Sequence, residues 1–112
     1  MDYYRFLKIL KAILIPNYLL KFSKNSYFDL ATIYTYSFNI SASYYKKIHN
    51  KFYDKFSFIS YNPYAFQKLQ SKSRKFKDCR RCILLNYVII FRIYNDYVEI
   101  LNVFHSRKNY LK

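Results

Sequence analysis

Residues 79–110, CRRCILLNYVIIFRIYNDYVEILNVFHSRKNY, decide the fold. Apolar side chains run almost unbroken over 83–85, 87–93 and 97–104, interrupted only at Asn86 and at Asn95-Asp96. Asn and Asp between β-branched and aromatic runs are hairpin chemistry, because their short polar side chains tolerate turn backbone and bond to it locally. The stretch predicts three antiparallel strands. It closes on His105-Ser106-Arg107-Lys108-Asn109-Tyr110, so the sheet delivers one imidazole, two cations and a phenol to one end. Function is expected there.

Upstream the apolar period changes from strand-like to helical. Ser23 is a plausible N-cap for a helix over about 24–37, with Leu30, Ile33, Tyr34 and Ser37 on one side and Asn39 ending it. A second helix is expected from Ser41, carrying Ala42, Tyr45, Ile48, Phe52 and Phe56 on its inner stripe and Lys46, Lys47, Asn50 and Lys51 outside. His49 falls on that polar side and is expected to be inert. Asn62-Pro63 ends the helical hairpin, and Tyr18-Leu19-Leu20-Lys21-Phe22 before it reads as a strand. The fold class that follows is α+β: an N-terminal strand, an antiparallel helical hairpin, then a three-stranded antiparallel sheet packed against the helices.

Residues 1–16 form a separate segment, with Phe6, Leu7, Leu10, Ile13 and Leu14 on one helical stripe and Arg5, Lys8 and Lys11 on another, ended by Pro16. It reads as an amphipathic extension to a domain spanning 17–112. Its lysines interrupt any apolar run long enough to span a bilayer, so no stable membrane insertion is expected.

At 112 residues the chain has the length of one domain, able to bury roughly two thirds of its unfolded surface. Twenty Lys and Arg against six acidic residues leave a net charge of +14. A polyanionic or acidic partner is the natural reading. The charge is concentrated: Lys68, Lys72, Arg74, Lys75, Lys77, Arg80 and Arg81 are opposed locally only by Asp78, in what reads as a solvated loop. Fifteen Tyr and eleven Phe with no Gly or Trp match the codon usage of an AT-rich genome, so most of the aromatic residues are read as core. The absence of glycine also excludes phosphate-cradling loops and dinucleotide turns. No cofactor and no small-molecule ligand are expected.

Cys79 and Cys82 make a lone C-x-x-C. Strand residues three apart point to opposite faces, and a zinc site needs two further ligands, so neither a redox dithiol nor a metal site is expected. Free thiols fit a reducing cytoplasm.

Several patterns then add up. Ser23-Lys24-Asn25-Ser26-Tyr27-Phe28-Asp29-Leu30 with Ile33 and Tyr36, Ala42 and Tyr45, Pro63, Arg80, Asn86-Tyr87 with its following strand, and His105-Ser106-Arg107-Lys108 occur in one order and spacing. Over about residues 17–110 the chain resembles the RelE/ParE superfamily of type II toxins. It departs from that pattern at Lys108, where Arg is usual, at Asn109, and in lacking glycines before the arginine strand.

The resemblance implies a cytoplasmic toxin neutralised by a cognate antitoxin, and it leaves two activities. RelE-like members cleave mRNA on the ribosome by driving a ribose 2′-OH onto the adjacent phosphate, which needs in-line geometry, charge stabilisation and proton transfer but no metal. On this first reading Arg80, Arg107 and Lys108 converge on one phosphate, His105 serves as acid or base and Tyr110 stacks or donates a proton. Tyr87 positions the substrate, and Lys72, Arg74, Lys75, Lys77 and Arg81 bind the nucleic acid. The basicity favours it, because ribosome binding is dominated by phosphate contacts. The alternative is a ParE-like inhibitor that binds DNA gyrase without catalysis, the same cations serving only to dock.

Overall fold

The computed structural model describes residues 17–107; the amphipathic segment expected over 1–15, Pro16, Lys108, Asn109 and Tyr110 lie outside them. Strand β1 (Leu19–Phe22) leads into helices α1 (Lys24–Ile40) and α2 (Ala42–Tyr61), and strands β2 (Cys79–Leu84), β3 (Tyr87–Ile93) and β4 (Tyr97–His105) follow. The fold is α+β, as the pattern predicts. One strand more belongs to the sheet than the C-terminal stretch supplies. β1 pairs parallel to β4 in the order β1-β4-β3-β2, while β2, β3 and β4 are antiparallel.

Serines set the helix ends. The Ser23 hydroxyl accepts from the Ser26 N–H at 3.0 Å, and its own proton goes to the Leu101 carbonyl at 2.7 Å, so the α1 cap is also a tie to β4. Asn39 does not end the helix, since a single Asn costs only about 0.6 kcal/mol relative to Ala. α1 runs on to Ile40. The hairpin turns at one extended residue: the Ser41 N–H donates to Ser37 O at 3.3 Å while its hydroxyl accepts from the Tyr44 N–H at 3.0 Å. Helix α2 buries Ile48, Phe52 and Ile59, with Phe56 half-buried. The expected inner stripe therefore starts too early: Ala42 is exposed, and Tyr45, 37% exposed, rests on Tyr34 and Phe38 of α1 and not in the buried core.

Alternation along the strands separates two cores. Against the helices lie Cys82, Leu84, Ile89, Phe91, Val98, Ile100 and Val103, with Ile33, Ile48, Phe52 and Ile59 from above. On the opposite face Cys79, Val88 and Ile90 pack with Leu69 and Phe76 of the basic segment. That segment is a cover and not only a solvated loop.

Ile100 and Val103 both face the helices although three residues apart, which an unbroken strand does not allow. A bulge explains it. Ile90 and Phe91 of β3 stand opposite Asn102 and Ile100, so Leu101 is an extra residue in β4. The bulge is pinned from α1 and its cap. Ser23 N–H bonds to Ile100 O at 2.9 Å, and the Asp29 carboxylate accepts the Val103 N–H at 2.8 Å and the Asn102 amide at 3.4 Å.

Without glycine, two of the described residues take left-handed backbone: Asp78 at φ 59° before β2 and Leu85 at φ 53° in the β2–β3 turn. Leu85 is thus turn and not strand. An apolar side chain there costs about 1–2 kcal/mol.

The two cysteines are free, buried and on opposite faces, as their spacing requires. Burial pushes both thiols up, Cys82 to about 11. The folded pKa of Cys82 lies above the unfolded value near 9, so its contribution to stability is complete below that pH and is lost as pH rises toward 11, about 2–3 kcal/mol in all. Urea midpoints followed across this alkaline range should fall more steeply for the wild type than for Cys82→Ala. Equal slopes would show that this thiol does not titrate with unfolding.

Among the described residues no helix is long and apolar enough to cross a membrane.

Candidate functional site

The bulge has a consequence for chemistry. Unbroken alternation from Val98 and Ile100 would turn His105 away from the helices; the extra residue returns it to their side. There it pairs in register with Tyr87, ring centroids 5.7 Å apart and edge-on. The two form one wall of a cleft of about 600 Å³, lined also by Asp29, Thr32, Ile33 and Tyr36 of α1, Tyr44 of α2, and Asn86, Val103 and Phe104. Its volume falls in the range of ligand and side-chain pockets, roughly 300–1,000 Å³.

The tip beyond β4 is ordered by backbone bonds. Ser106 N–H donates to Asn86 O at 2.6 Å, and the Arg107 N–H donates to His105 Nδ1 at 3.2 Å. With Nδ1 accepting, the neutral imidazole carries its proton on Nε2. His105 is then a donor in its neutral form. Burial pushes the Tyr87 phenol above its usual range, with Tyr44 and Tyr36 adding to the effect, so it too stays protonated. Phe52 backs Tyr87 from the core at 5.8 Å. The side chains of His105 and Arg107 are exposed, and the Arg107 N–H on His105 Nδ1 sets that residue beside the cleft wall.

Arg80 is elsewhere. Its strand neighbour is Phe91, whereas His105 is aligned through Tyr87 with Leu84, four residues along β2 and two strands away. That is about 13 Å along the strands at ~3.3 Å per residue. The expected convergence of Arg80 with Arg107 on one phosphate is therefore corrected. Arg80 donates to Phe66 O at 2.6 Å, and its guanidinium lies 5.3 Å from the Tyr64 ring, holding the segment after α2 against the sheet. Primary sequence hides this, because sequence nearness to a strand does not say which end of the sheet a residue reaches.

Arg81 points to the face opposite the helices and donates to Gln67 Oε1 at 3.2 Å. Lys72, Arg74, Lys75 and Lys77 are exposed on the covering loop, behind the sheet and away from the cleft. Of the proposed contact residues that are described, Tyr87 and His105 line the cleft and Arg107 stands beside them; Lys108 and Tyr110 lie outside the described residues. Asp29, Tyr36, Tyr44 and Asn86 complete it without having been assigned roles from sequence, although Asp29, Tyr36 and Asn86 belong to the quoted patterns. Among the described residues no group of three or more His, Cys, Asp or Glu is placed to hold a metal ion.

This arrangement offers aromatic walls, one carboxylate, one amide and one imidazole, with a single described cation at the rim. A lining of this kind can receive the side chains of a partner protein.

Comparison with known proteins bears on the fold and the family. No curated protein sequence matches the chain. Among solved structures, a chain of the chromosomal ParDE toxin–antitoxin system from P. aeruginosa superimposes with a TM-score of 0.64 at 17% identity, covering 80% of this chain and 97% of that one. Such a likeness establishes the shared fold. Residues 20–110 match the family described as ParE toxin of type II toxin-antitoxin system, parDE. That match spans β1 through the His105 tip, and the chain belongs to the ParE toxin family of type II toxin–antitoxin systems.

Proposed function

We propose that this chain is a cytoplasmic toxin that arrests growth by binding DNA gyrase, without cleaving RNA. The separation of Arg80 from His105 and Arg107 carries the reading. Ribonuclease chemistry needs cations and a proton-transfer group gathered on one phosphate, and here the strand register holds Arg80 away from His105 and Arg107. The Nδ1 of His105 is already engaged as the acceptor of the Arg107 N–H at 3.2 Å, so that nitrogen is not open to a substrate proton. The family match adds to this, since the ParE-like branch is the one that acts by binding.

The cleft and its rim are the contact surface on this reading, with Tyr36, Tyr44, Tyr87 and Arg107 meeting the target and His105 only shaping the wall beside Tyr87. The cognate antitoxin covers the same surface, an acidic segment answering the positive rim.

The experiment is a pair of assays on purified protein, gyrase supercoiling and cleavage of a defined mRNA on ribosomes. Wild type and His105→Ala are expected to inhibit supercoiling to within about threefold of one another, and Arg107→Glu to weaken inhibition by about tenfold or more, as reversal of a rim charge does. Neither wild type nor variant is expected to cut the mRNA. Cleavage by wild type that His105→Ala abolishes would overturn the reading in favour of a ribosome-dependent endoribonuclease.

A further inference from the structure

The basic segment between α2 and β2 does not behave as a solvated loop. Leu69 and Phe76 are buried, at 8% and 5% exposure, against Cys79, Val88 and Ile90 on the face of the sheet opposite the helices. Its start is zipped to β2, with the Arg81 N–H on Gln67 O at 3.0 Å and the Leu69 N–H on Cys79 O at 2.8 Å. Its end is held by Arg92, whose Nε donates to Lys77 O at 3.1 Å and whose second nitrogen donates to Lys75 O at 2.9 Å. A strand arginine is thus spent on backbone carbonyls inside an already positive segment. The result is that Lys72, Arg74, Lys75 and Lys77 stand exposed on an anchored backbone, with only Asp78 of opposite sign in the segment.

Which polyanion fits follows from what the segment lacks. In residues 67–78 the only apolar side chains, Leu69 and Phe76, are the buried anchors, so this stretch offers nothing to enter a bilayer or to fill a pocket in a protein partner. What remains is positive charge fixed in place, which reads the regular spacing of phosphates and needs no base contacts. We propose that the loop-covered back of the sheet is a binding surface for the phosphate backbone of duplex DNA, separate from the His105 cleft. The choice of DNA over RNA rests on the gyrase reading, because duplex DNA is the substrate of that enzyme. Since the two surfaces lie on opposite faces of one sheet, the duplex and a cleft-bound protein are accommodated together.

The test must separate this surface from the general basicity of the chain. Binding of a short mixed-sequence fluorescent duplex DNA is followed by anisotropy over a salt series for three proteins. These are wild type, a loop variant (Lys72→Gln, Arg74→Gln, Lys75→Gln, Lys77→Gln) and a charge-matched helix variant (Lys24→Gln, Lys46→Gln, Lys47→Gln, Lys51→Gln). All eight side chains are exposed, and Leu69, Phe76 and Arg92 are retained, so each variant keeps its fold. The slope of log affinity against log salt is expected to fall by about 3–4 in the loop variant, near 0.9 for each lost phosphate contact, and by less than about 1 in the helix variant. Equal losses in both variants, an unchanged slope in the loop variant, or loop-dependent binding confined to a duplex RNA of the same sequence would each overturn the proposal. The gyrase reading fails separately: wild type that binds the duplex through the loop yet leaves supercoiling untouched supports this surface and removes that target.

Discussion

Shortening Phe52 to alanine is expected to lower the unfolding free energy by about 3–5 kcal/mol. The ring is fully buried in the core between the helices and the sheet. It meets Tyr34 edge-on at 6.1 Å, Phe56 in a stack at 5.8 Å and Tyr87 at 5.8 Å. Helix α2 and the sheet hold its surroundings apart, so the cavity closes only in part. For a domain whose whole stability is about 5–15 kcal/mol, the loss is a large fraction. It also reaches the cleft, because Phe52 supports the Tyr87 ring that stands 5.7 Å from His105. Urea denaturation at unchanged m-value measures the cost, and Phe52→Leu, which leaves less empty volume, should lose about half as much. A loss below about 1 kcal/mol for the alanine variant would mean that the core repacks around the gap.

Removing the Asp29 carboxylate is expected to have the second largest effect, about 2–3 kcal/mol for Asp29→Ala. Two donors then lose their acceptor, the Val103 N–H and the Asn102 amide, and Asn102 is only 4% exposed. The Asn102 Oδ1 already has no hydrogen-bond partner, so this side chain has nothing in reserve. The loss is also functional. Asp29 is one of the pins on the β4 bulge, and the bulge puts His105 on the helix side of the sheet. Asp29→Asn keeps an acceptor oxygen and should recover all but about 1 kcal/mol. The structural signature is the Tyr87–His105 contact: ring-current shifts on His105 should persist in Asp29→Asn and weaken in Asp29→Ala. Identical shifts and equal stability in both variants would show that the bulge holds without this carboxylate.

The elements themselves were legible because each carries a local period. Two-residue alternation and the polar breaks at Asn86 and Asn95-Asp96 mark the three C-terminal strands, and the Ser23 and Ser41 caps mark two helices, since a cap bonds within three residues of itself. The ends were less legible. Asn39 was read as a helix breaker, yet nothing in its chemistry forbids helix, and the turn falls at Ser41 where one hydroxyl and one N–H satisfy both helices.

The candidate site divides the same way. His105, Arg107 and Tyr87 were legible as a polar tip on an apolar sheet, and the family patterns point to them. Arg80 was not, because grouping it with the tip required knowing the register of β2 against β3 and β4. The role of Arg92 was also hidden, since a cation in a strand looks like any solvent-facing residue until the carbonyls of Lys75 and Lys77 are placed beside it.

Composition and periodicity alone determined the α+β class, the positive charge, the lack of glycine-built nucleotide loops and the placing of both cysteines on opposite faces of a strand. These properties depend on identity and spacing within a few residues. Only the tertiary structure decided that β1 joins the sheet beside β4, that Asp29 holds a bulge 74 positions away along the chain, and that Arg80 and His105 belong to different ends. Those outcomes depend on register between distant segments. One inserted residue in a strand reverses every side chain beyond it, and hydrophobicity read along the chain does not show which residue that is.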